Sequence, residues 1–487
     1  MQTLTSAQIL SGLERILGPE GLLSAAGSPT GTAPAAQADI EPYVTDHRGI
    51  YHGRALAVAR PRIVAEVTEL LAFCDRHGIG VVPQGGNTSY CGGATPDESG
   101  RQIVVSLSRL NRIRRIDPLN YSLTAEAGCV LADIQRAADE AQRFFPLSLG
   151  SEGTCQLGGN LGTNAGGVHV VRYGMMRDLV LGLEVALADG RLLSSLSMLR
   201  KDNTGYDVKS LFLGAEGTLG IITAASLKLF PKLRAFATAF AAVPDPRAAV
   251  ALLARLRDAS GDRVSSFELI PRIAVELTSR HIPGVRDPLD ASHPWYVLCE
   301  LTSARAADPL EELLEQSLAG AMEDRLVLDA AVARSERDRA AFWKLRETIP
   351  EAQRLDGGSL KHDISVPVAS IADFIERGSR WIADNVPDGR LVAYGHVGDG
   401  NLHFNLNQAP GADRAAFLAR EEPLKRAIHD LVRDFGGSFS AEHGIGRLKV
   451  AELERYAPPV ELDLMRTIKR ALDPNGILNP GKVLRPA

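Results

Sequence analysis

Two histidines flanking a predicted tight turn are the strongest chemical signal in the sequence. Asp399-Gly400 is typical of a two-residue type I′ turn, because both central positions of that turn need positive φ, and the flanking residues are apolar and β-prone. Such a turn would place His396 opposite His403, with Asn405 two residues farther along the same face. Opposed residues on one face have Cβ atoms about 5 Å apart. This face would supply two-thirds of a His/His/carboxylate metal site.

A carboxylate that could complete this site follows later in the chain. The stretch Ser438–Gly446 is typical of a short strand that enters a glycine-rich turn before a helix. Glu442 could be the third ligand, which would leave His443 as a base or a hydrogen-bond donor. The alternative is a polar hairpin whose histidines are satisfied by backbone groups. The combination of two opposed histidines, an amide and a Glu-His pair favours the functional site.

Three glycine-rich loops in the first half predict a second site, for a large flat ligand that carries phosphates. They span residues 83–93, 146–167 and 205–222. Such loops expose backbone N–H groups, which suit a pyrophosphate, and their lack of bulk lets the backbone approach a flat ligand closely. The first loop is neither a dinucleotide fingerprint nor a P-loop, and by itself it could be a surface turn.

The elements around these loops predict more than one domain, since 487 residues are too many for one core. The first half is expected to be α+β, with a helix from Ser6, then strand 55–59, helix 63–77, and strands 78–83, 103–107, 122–125 and 179–188. From about Ala235 glycine becomes rarer, and an antiparallel sheet covered by helices on one face is expected. Its strands are 237–243, 265–269, 296–301, 326–332 and 361–367, and its helices are 246–259, 308–321, 335–348, 368–385 and 413–435.

Composition excludes several classes of protein. A hydrophobic content of 45% and a charged content of 23% are typical of a globular protein. The net charge of −5 and the scattered basic residues argue against a nucleic-acid partner, and no segment is long and apolar enough to span a bilayer. Met1–Leu23 fits neither a signal peptide nor a transit peptide. The five cysteines form no metal or redox motif, so free thiols and a cytoplasmic location are predicted.

Several segments resemble a known superfamily. Pro83–Thr88, Gly158–Gly167 and Gly214–Ile222 resemble the FAD-binding half of the vanillyl-alcohol oxidase/p-cresol methylhydroxylase superfamily. Within it, the segments 395–403, 441–446 and 472–482 resemble the FAD-linked D-2-hydroxy acid dehydrogenases, a group that includes D-2-hydroxyglutarate dehydrogenase, D-lactate dehydrogenase (cytochrome) and the flavoprotein subunit of glycolate oxidase. The resemblance covers the chain from about Tyr43 onwards.

The resemblance implies a fold and a set of boundaries. The fold is α+β, with a two-lobed FAD-binding domain and an inserted antiparallel-sheet substrate (cap) domain. The FAD-binding domain would span residues 1–234, the cap domain 235–430, and residues 431–487 would complete the FAD domain and the active site. A homodimer is expected from the resemblance alone.

The resemblance also assigns roles to residues. The metal ligands would be His396, His403 and Glu442, and Asn405 and His443 would face the substrate. Arg346 and Lys361 match the family's carboxylate-binding positions. The alternatives are a solvated charge on an amphipathic helix for Arg346 and a gatekeeper at a sheet edge for Lys361.

The expected FAD contacts lie in the three loops and the tail of the chain. They are Pro83, Gln84, Gly85, Gly86, Asn87, Thr88, Ser89, Gly150, Ser151, Thr154, Gly158, Gly159, Asn160, Thr163, Asn164, Gly166, Gly217, Gly220, Ile222 and Asn479. Many relatives place a flavin-linked His where this chain has Asn87, so non-covalent FAD is expected. Cys155 stands where some relatives have a linking Cys, and it is expected to form no bond.

The implied reaction is oxidation of a D-2-hydroxy acid, such as D-2-hydroxyglutarate, D-lactate or D-malate, to the 2-oxo acid. The metal would lower the pKa of the hydroxyl, His443 would act as the base, and hydride would pass to flavin N5. Zinc is the first choice of metal, with manganese, cobalt or iron as alternatives. Pro350 stands where the hydroxyglutarate-specific member has Thr, which argues against strict hydroxyglutarate specificity.

Three alternatives stay open. The first is a flavin oxidase without a metal, which would use oxygen. The second is a glycolate/D-lactate oxidase-type subunit that passes electrons to a quinone, a cytochrome or an electron-transfer flavoprotein. The third is a non-catalytic FAD-binding subunit of a complex, against which the intact His/His/Glu/His set argues.

Overall fold

The computed structural model describes residues 4–27 and 33–486, and the first three residues of the predicted N-terminal segment lie outside this range. The chain forms two compact units. The first comprises residues up to Gly166, Met175–Lys232 and the chain from Glu442, and the second comprises Gly167–Gly174 and Leu233–Ala441. The domain boundaries expected from the sequence lie at residues 234 and 430. They do not predict that residues 167–174 belong to the second unit. None of the described helices combines the length and apolarity that a membrane crossing requires.

The first unit contains three sheets and the helices that cover them. Numbered in chain order, its helices are α1 (Ser6–Leu17), α2 (Gln37–Val44), α3 (Val64–His77), α4 (Leu131–Glu140), α5 (Leu157–Gly162), α7 (Met176–Leu179), α16 (Val450–Tyr456) and α17 (Pro459–Leu472). Its strands are β1 (Leu22–Leu23), β2 (Ala55–Ala59), β3 (Val81–Gln84), β4 (Gln102–Ser106), β5 (Ile113–Asp117), β6 (Ser122–Glu126), β7 (Arg143–Phe144), β8 (Val180–Ala186), β9 (Leu192–Ser195), β10 (Ile221–Lys228) and β11 (Phe230–Pro231).

The predicted β-α-β unit is present in the first sheet. The strand order is β1-β2-β4-β3, and β2 and β3 both run parallel to β4. Strand β3 begins later than expected, because Gly78 has a φ of 63° and ends α3. Alternate strand residues pack against α1 and α3 on one face and against α2 on the other, so both faces are buried. The second sheet is antiparallel, with the order β5-β6-β10-β8-β9, and β11 pairs with β7.

The second unit is built on one eight-stranded antiparallel sheet of order β15-β12-β14-β13-β18-β19-β16, with β17 also paired to β19. Its strands are β12 (Ala235–Val243), β13 (Val264–Pro271), β14 (Trp295–Ser303), β15 (Asp329–Val332), β16 (Ser359–Leu360), β17 (Asp363–Ser365), β18 (Gly389–His396) and β19 (Asn401–Gln408). Its helices are α6 (Val170–Tyr173), α8 (Pro246–Ser260), α9 (Arg272–His281), α10 (Leu310–Glu323), α11 (Glu336–Glu347), α12 (Ile349–Asp356), α13 (Ile371–Asn385), α14 (Arg414–Leu418) and α15 (Glu421–Asp434).

The expectation of helices on one face of this sheet is wrong. Helices α8, α10, α13 and α15 pack on one face, around Phe267 and Phe404. Helices α9, α11 and α12 pack on the other, around Phe240 and Tyr296. The strands are apolar at odd and even positions alike, so neither face is suited to water. The sequence analysis did not predict α9 and α12, and its single helix over 413–435 is two helices, α14 and α15.

Candidate active site

The two histidines lie on neighbouring strands, in a register that differs from the predicted one. His403 pairs with Tyr394, two positions from the expected partner His396. Strand β18 ends at His396 and β19 begins at Asn401, so the connecting loop has four residues rather than two. Because side chains alternate with a period of two, a shift of two residues keeps them on the same face. The rings of His396 and His403 accordingly lie edge to face, with centroids 5.7 Å apart.

The predicted type I′ turn is wrong for a local reason. Of the two central residues, Gly400 has a φ of 88°, whereas Asp399 does not have positive φ. Asp399 instead accepts the Asn401 N–H at its Oδ1, at 3.1 Å, and a Cβ on Gly400 would lie 2.2 Å from the Val366 carbonyl oxygen. The loop is therefore fixed by the close passage of residue 366 as well as by the turn residues.

The chain that leads to the predicted third ligand, Glu442, is anchored in the second unit. Residue Ala441 donates its N–H to the Asp363 oxygen at 3.3 Å, and Asp363 pairs with His403 in the sheet, so the chain before Glu442 is anchored beside β19. His396 and His403 supply two imidazoles on one face of the sheet, and the assignment of Glu442 as the third ligand stays a prediction. Two imidazoles and a carboxylate are a donor set that suits zinc and other divalent transition metals.

Sequence reasoning missed a buried carboxylate behind this site. Glu268, in the middle of β13, has no exposed surface. Its Oε1 lies 2.6 Å from Nδ1 of His396, and its Oε2 accepts a hydrogen bond from Nε of Arg346 at 2.7 Å. Burial by itself would raise the pKa of Glu268, but the charges and hydrogen bonds of His396 and Arg346 outweigh it and lower this pKa to about 2. The signal that could have found it is a lone charge in an apolar strand, because such residues are rarely buried without a partner.

The interpretation of Arg346 as a solvated charge is wrong. It lies near the end of α11 and is only 6% exposed. Its guanidinium carbon stands 4.9 Å from the ring centroid of Tyr394, which points from β18 to the same side. Arg346 donates from Nε, and its Nη1 and Nη2 form no hydrogen bond with the described residues. The edge of the guanidinium group formed by Nη1 and Nη2 therefore suits a carboxylate ligand.

Lys361 and Asn405 meet at a glutamine that the sequence analysis did not single out. Gln353, fully buried in α12, accepts at its Oε1 from Nζ of Lys361 at 2.7 Å and from Nδ2 of Asn405 at 3.1 Å. Asn405 Oδ1 accepts the N–H of His362 at 3.0 Å. Asn405 is therefore a buried group that shares the Gln353 oxygen with Lys361, and its assignment to the substrate stays a prediction. Pro350 is exposed in the first turn of α12, a position that tolerates proline.

The three glycine-rich loops pack on one another in the first unit. A Cβ on Gly86 would lie 2.2 Å from the Thr154 oxygen, and a Cβ on Gly217 would lie 2.3 Å from Cγ of Pro83. By contrast, no described heavy atom lies within 4 Å of a Cβ built on Gly150 or Gly159. Some glycines therefore join the loops, and others leave open space beside the backbone. That combination fits a flat cofactor laid against main-chain amides.

Polar side chains of these loops divide into two groups. The amide of Gln84 donates to the Tyr43 and Ala94 oxygens at 3.0 and 2.9 Å, and that of Asn87 donates to the Pro42 and Thr45 oxygens at 3.0 and 2.8 Å, so both fix the first loop. In contrast, Oε1 of Gln156 and Oδ1 of Asn479 are buried without a hydrogen-bond partner among the described residues. Buried acceptors are normally satisfied. These two fit the N–H groups of a flavin or an adenine, and Gln156 was not predicted.

Cys155 is unsuited to covalent attachment. Its side chain is buried, Nδ2 of Asn160 lies 3.6 Å from its sulfur, and burial raises the pKa of its thiol. The thiolate is the reactive form of cysteine. All five cysteines are buried, and none of them forms a disulfide with another described residue.

The turn that carries Glu442 and His443 is held by a second carboxylate missed by the sequence analysis. Glu216, at a φ of 51°, accepts the N–H groups of Ile445 and Gly446 at 2.7 and 2.8 Å. Burial raises the pKa of Glu216, and these hydrogen bonds oppose the increase. The ring of His443 lies 4.7 Å from that of Tyr90, between centroids. The turn is therefore tied to the third glycine-rich loop.

Comparison with known proteins finds matching families for both halves of the chain. Residues 55–195 match the family described as FAD binding domain, and residues 232–483 match FAD linked oxidases, C-terminal domain. The chain is 39% identical over 440 residues to the probable mitochondrial D-2-hydroxyglutarate dehydrogenase of Oryza sativa subsp. indica, which covers 90% of this chain and 77% of the relative. It is 40% identical over 435 residues to the mitochondrial D-2-hydroxyglutarate dehydrogenase of Danio rerio, covering 89% and 79%.

A solved structure supports the fold. The structure of p-cresol methylhydroxylase with substrate bound superposes with a TM-score of 0.75, at 17% identity, over 99% of this chain and 98% of the other. The predicted fold class is thereby confirmed. The prediction of a cytoplasmic location is contradicted, because both relatives are named mitochondrial. Free thiols indicate a reducing compartment, and they do not distinguish one such compartment from another.

Proposed function

The chain belongs to the FAD-linked D-2-hydroxy acid dehydrogenases, and we propose that it oxidises its substrate to the 2-oxo acid with the help of a divalent metal held by His396, His403 and Glu442. The observation that carries the proposal is the pair of imidazoles on one face of the sheet, with the ring centroids of His396 and His403 5.7 Å apart and Oε1 of Glu268 2.6 Å from Nδ1 of His396. Zinc is the first choice, and manganese, cobalt and iron are the alternatives.

The substrate carboxylate is assigned to Arg346 and Lys361. Arg346 has its Nε on Glu268, so its remaining edge offers two parallel N–H donors, the geometry that a carboxylate prefers. Lys361 supplies a second positive charge, and Gln353 fixes its position. The names of the relatives favour D-2-hydroxyglutarate, whereas Pro350 argues against strict specificity for it, so D-lactate and D-malate are the competing substrates.

When bound, FAD would supply the hydride acceptor for the substrate Cα, and a metal would lower the pKa of the substrate hydroxyl. His443 takes the hydroxyl proton as general base, a role that contributes roughly 10²–10⁴ in rate. FAD is held without a covalent bond, since Asn87 is committed to backbone carbonyls and Cys155 is buried. A quinone, a cytochrome or an electron-transfer flavoprotein would be the electron acceptor, and a homodimer is the proposed assembly.

The test is anaerobic reduction of the purified yellow protein by D-2-hydroxyglutarate, D-lactate, D-malate and glycolate, with L-isomers as controls. Bleaching of the flavin by one D-acid is expected, and treatment with EDTA should abolish it until metal is restored. No bleaching by any of these acids would contradict the substrate class. Unchanged bleaching after complete metal removal would contradict the metal.

The role of His443 has a matched control in the same aromatic cluster. His47 also packs edge-on against Tyr90, with ring centroids 5.7 Å apart, but it is assigned no chemistry. His443→Asn should slow flavin reduction by roughly 10²-fold or more, and His47→Asn should leave it near the wild-type rate. Equal rates of flavin reduction in the two variants would refute the role of His443 as the general base. Peroxide formation during aerobic turnover would favour the oxidase alternative.

A further inference from the structure

One buried carboxylate joins a candidate metal ligand to the candidate substrate-binding arginine. The two oxygens of Glu268 serve different groups, Oε1 facing Nδ1 of His396 at 2.6 Å and Oε2 accepting from Nε of Arg346 at 2.7 Å. All three residues are in the second unit, and none is more than 7% exposed.

The backbone fixes this arrangement. Strand β13 pairs with β18 so that Glu268 stands directly opposite His396, and directly opposed residues point to the same face of a sheet. On its other side β13 pairs with β14, where Glu268 faces Leu298. Arg346 comes from α11, which packs on that face of the sheet. The contact is thus set by strand register in the interior and does not depend on a flexible surface side chain.

We propose that Glu268 is a positioning residue that orients both the metal ligand His396 and the substrate-binding Arg346. A carboxylate only accepts hydrogen bonds, so Nδ1 of His396 carries the hydrogen. In a neutral imidazole the lone pair is then on Nε2, the form that can bind a metal. The same carboxylate holds Nε of Arg346 and turns the Nη1 and Nη2 edge towards a ligand. This inference rests on the proposed function.

A neighbouring ion pair provides a matched control. Glu300, on the adjacent strand β14, is also buried and is bound by Arg339, which comes from the same helix as Arg346. Its other partners are Thr238 and Trp343, at 2.7 and 3.2 Å, and no metal ligand is among them. A variant at Glu300 therefore removes a buried carboxylate–arginine pair without touching the histidine.

The experiment compares Glu268→Gln with Glu300→Gln in the FAD-loaded protein. After metal removal, zinc affinity is measured by competition with a chromophoric chelator, which does not depend on turnover. The two donors face different oxygens of the carboxylate, so in the amide one of them would face an NH2 group, which cannot accept. Zinc binding by Glu268→Gln should weaken about 10–100-fold, as for other groups that support a metal ligand. Glu300→Gln should bind zinc as the wild type does, and only Glu268→Gln should raise the KM for the hydroxy acid.

The outcomes separate the two proposals. Wild-type zinc affinity in Glu268→Gln would overturn the positioning role, and so would equal weakening in both variants, because that would reflect a general loss of stability. If Glu268→Gln fails to fold, Glu268→Asp keeps the charge but is too short to reach both partners, and it should also bind zinc more weakly; unchanged affinity would overturn the role. A wild-type protein that binds no divalent metal would instead refute the metal site itself.

Discussion

Two adjacent glycines in α5 allow the cofactor site to be tested apart from the stability of the fold. A Cβ added at Gly158 would lie 2.9 Å from Cβ of Ala127 and 3.2 Å from its oxygen. At Gly159 no described heavy atom outside the chain neighbours and the backbone of α5 lies within 4 Å of the added Cβ. If the space beside Gly159 belongs to FAD, Gly159→Ala should weaken cofactor binding without weakening the apoprotein, whereas Gly158→Ala should weaken the apoprotein.

The magnitudes follow from helix propensity and packing. Replacing glycine by alanine inside a helix stabilises it by about 1 kcal/mol, and forcing an extra methyl into packed atoms costs about 1–3 kcal/mol. The Gly159→Ala apoprotein should therefore be as stable as the wild type or about 1 kcal/mol more stable. The Gly158→Ala apoprotein should lose up to about 2 kcal/mol. In Gly159→Ala the packing cost appears on FAD binding, and it corresponds to roughly 5- to 150-fold weaker affinity.

Urea unfolding of the apoproteins measures the first quantity, and titration followed by quenching of flavin fluorescence measures the second. Wild-type FAD affinity in Gly159→Ala would refute the assignment of this space to the cofactor. An apoprotein destabilised by Gly159→Ala would show that the space is not open.

Three further predictions concern the hairpin, the buried carboxylate and the flavin linkage. In Gly400→Ala the added Cβ would lie 2.2 Å from the Val366 oxygen, so this variant should be less stable to urea than Gly411→Ala. Gly411 has a similar φ of 78°, but no described heavy atom lies within 4 Å of its added Cβ. Equal stabilities of the two variants would contradict the close contact between Gly400 and Val366. The pKa of Glu268 is lowered from 4.5 to about 2, so its ionised form stabilises the folded state above pH 4.5, and this contribution is lost as the pH falls towards 2. In metal-free protein, the difference in unfolding free energy between wild type and Glu268→Gln should therefore shrink by about 3 kcal/mol over that range. If the unfolding free energies of the two proteins changed in parallel with pH, the lowered pKa of Glu268 would be contradicted. Acid denaturation should release all flavin from wild type and Cys155→Ser alike; colour retained by the wild-type pellet would indicate a covalent bond.

Local pattern was sufficient for most elements of this chain. Period-two and helical periodicities depend only on neighbouring residues, so strands such as β2 and β12 and helices such as α3 and α8 lie within a few residues of their predicted positions. The placement of His396 and His403 on one face was predictable for the same reason, since it depends only on the parity of the spacing. The glycine content of the three loops likewise predicted a site where backbone meets ligand.

What the sequence could not determine are the contacts between residues far apart in the chain. The four-residue hairpin loop depends on the passage of Val366 beside Gly400, and the second helical layer of the large sheet depends on α9 and α12. Glu268 is 128 residues from His396 along the chain, and strand register alone brings them together. Periodicity carries no information about which strands pair. The residue types that do the chemistry could therefore be identified from the sequence. The buried groups that orient them, Glu268, Gln353 and Glu216, could be identified only from the tertiary structure.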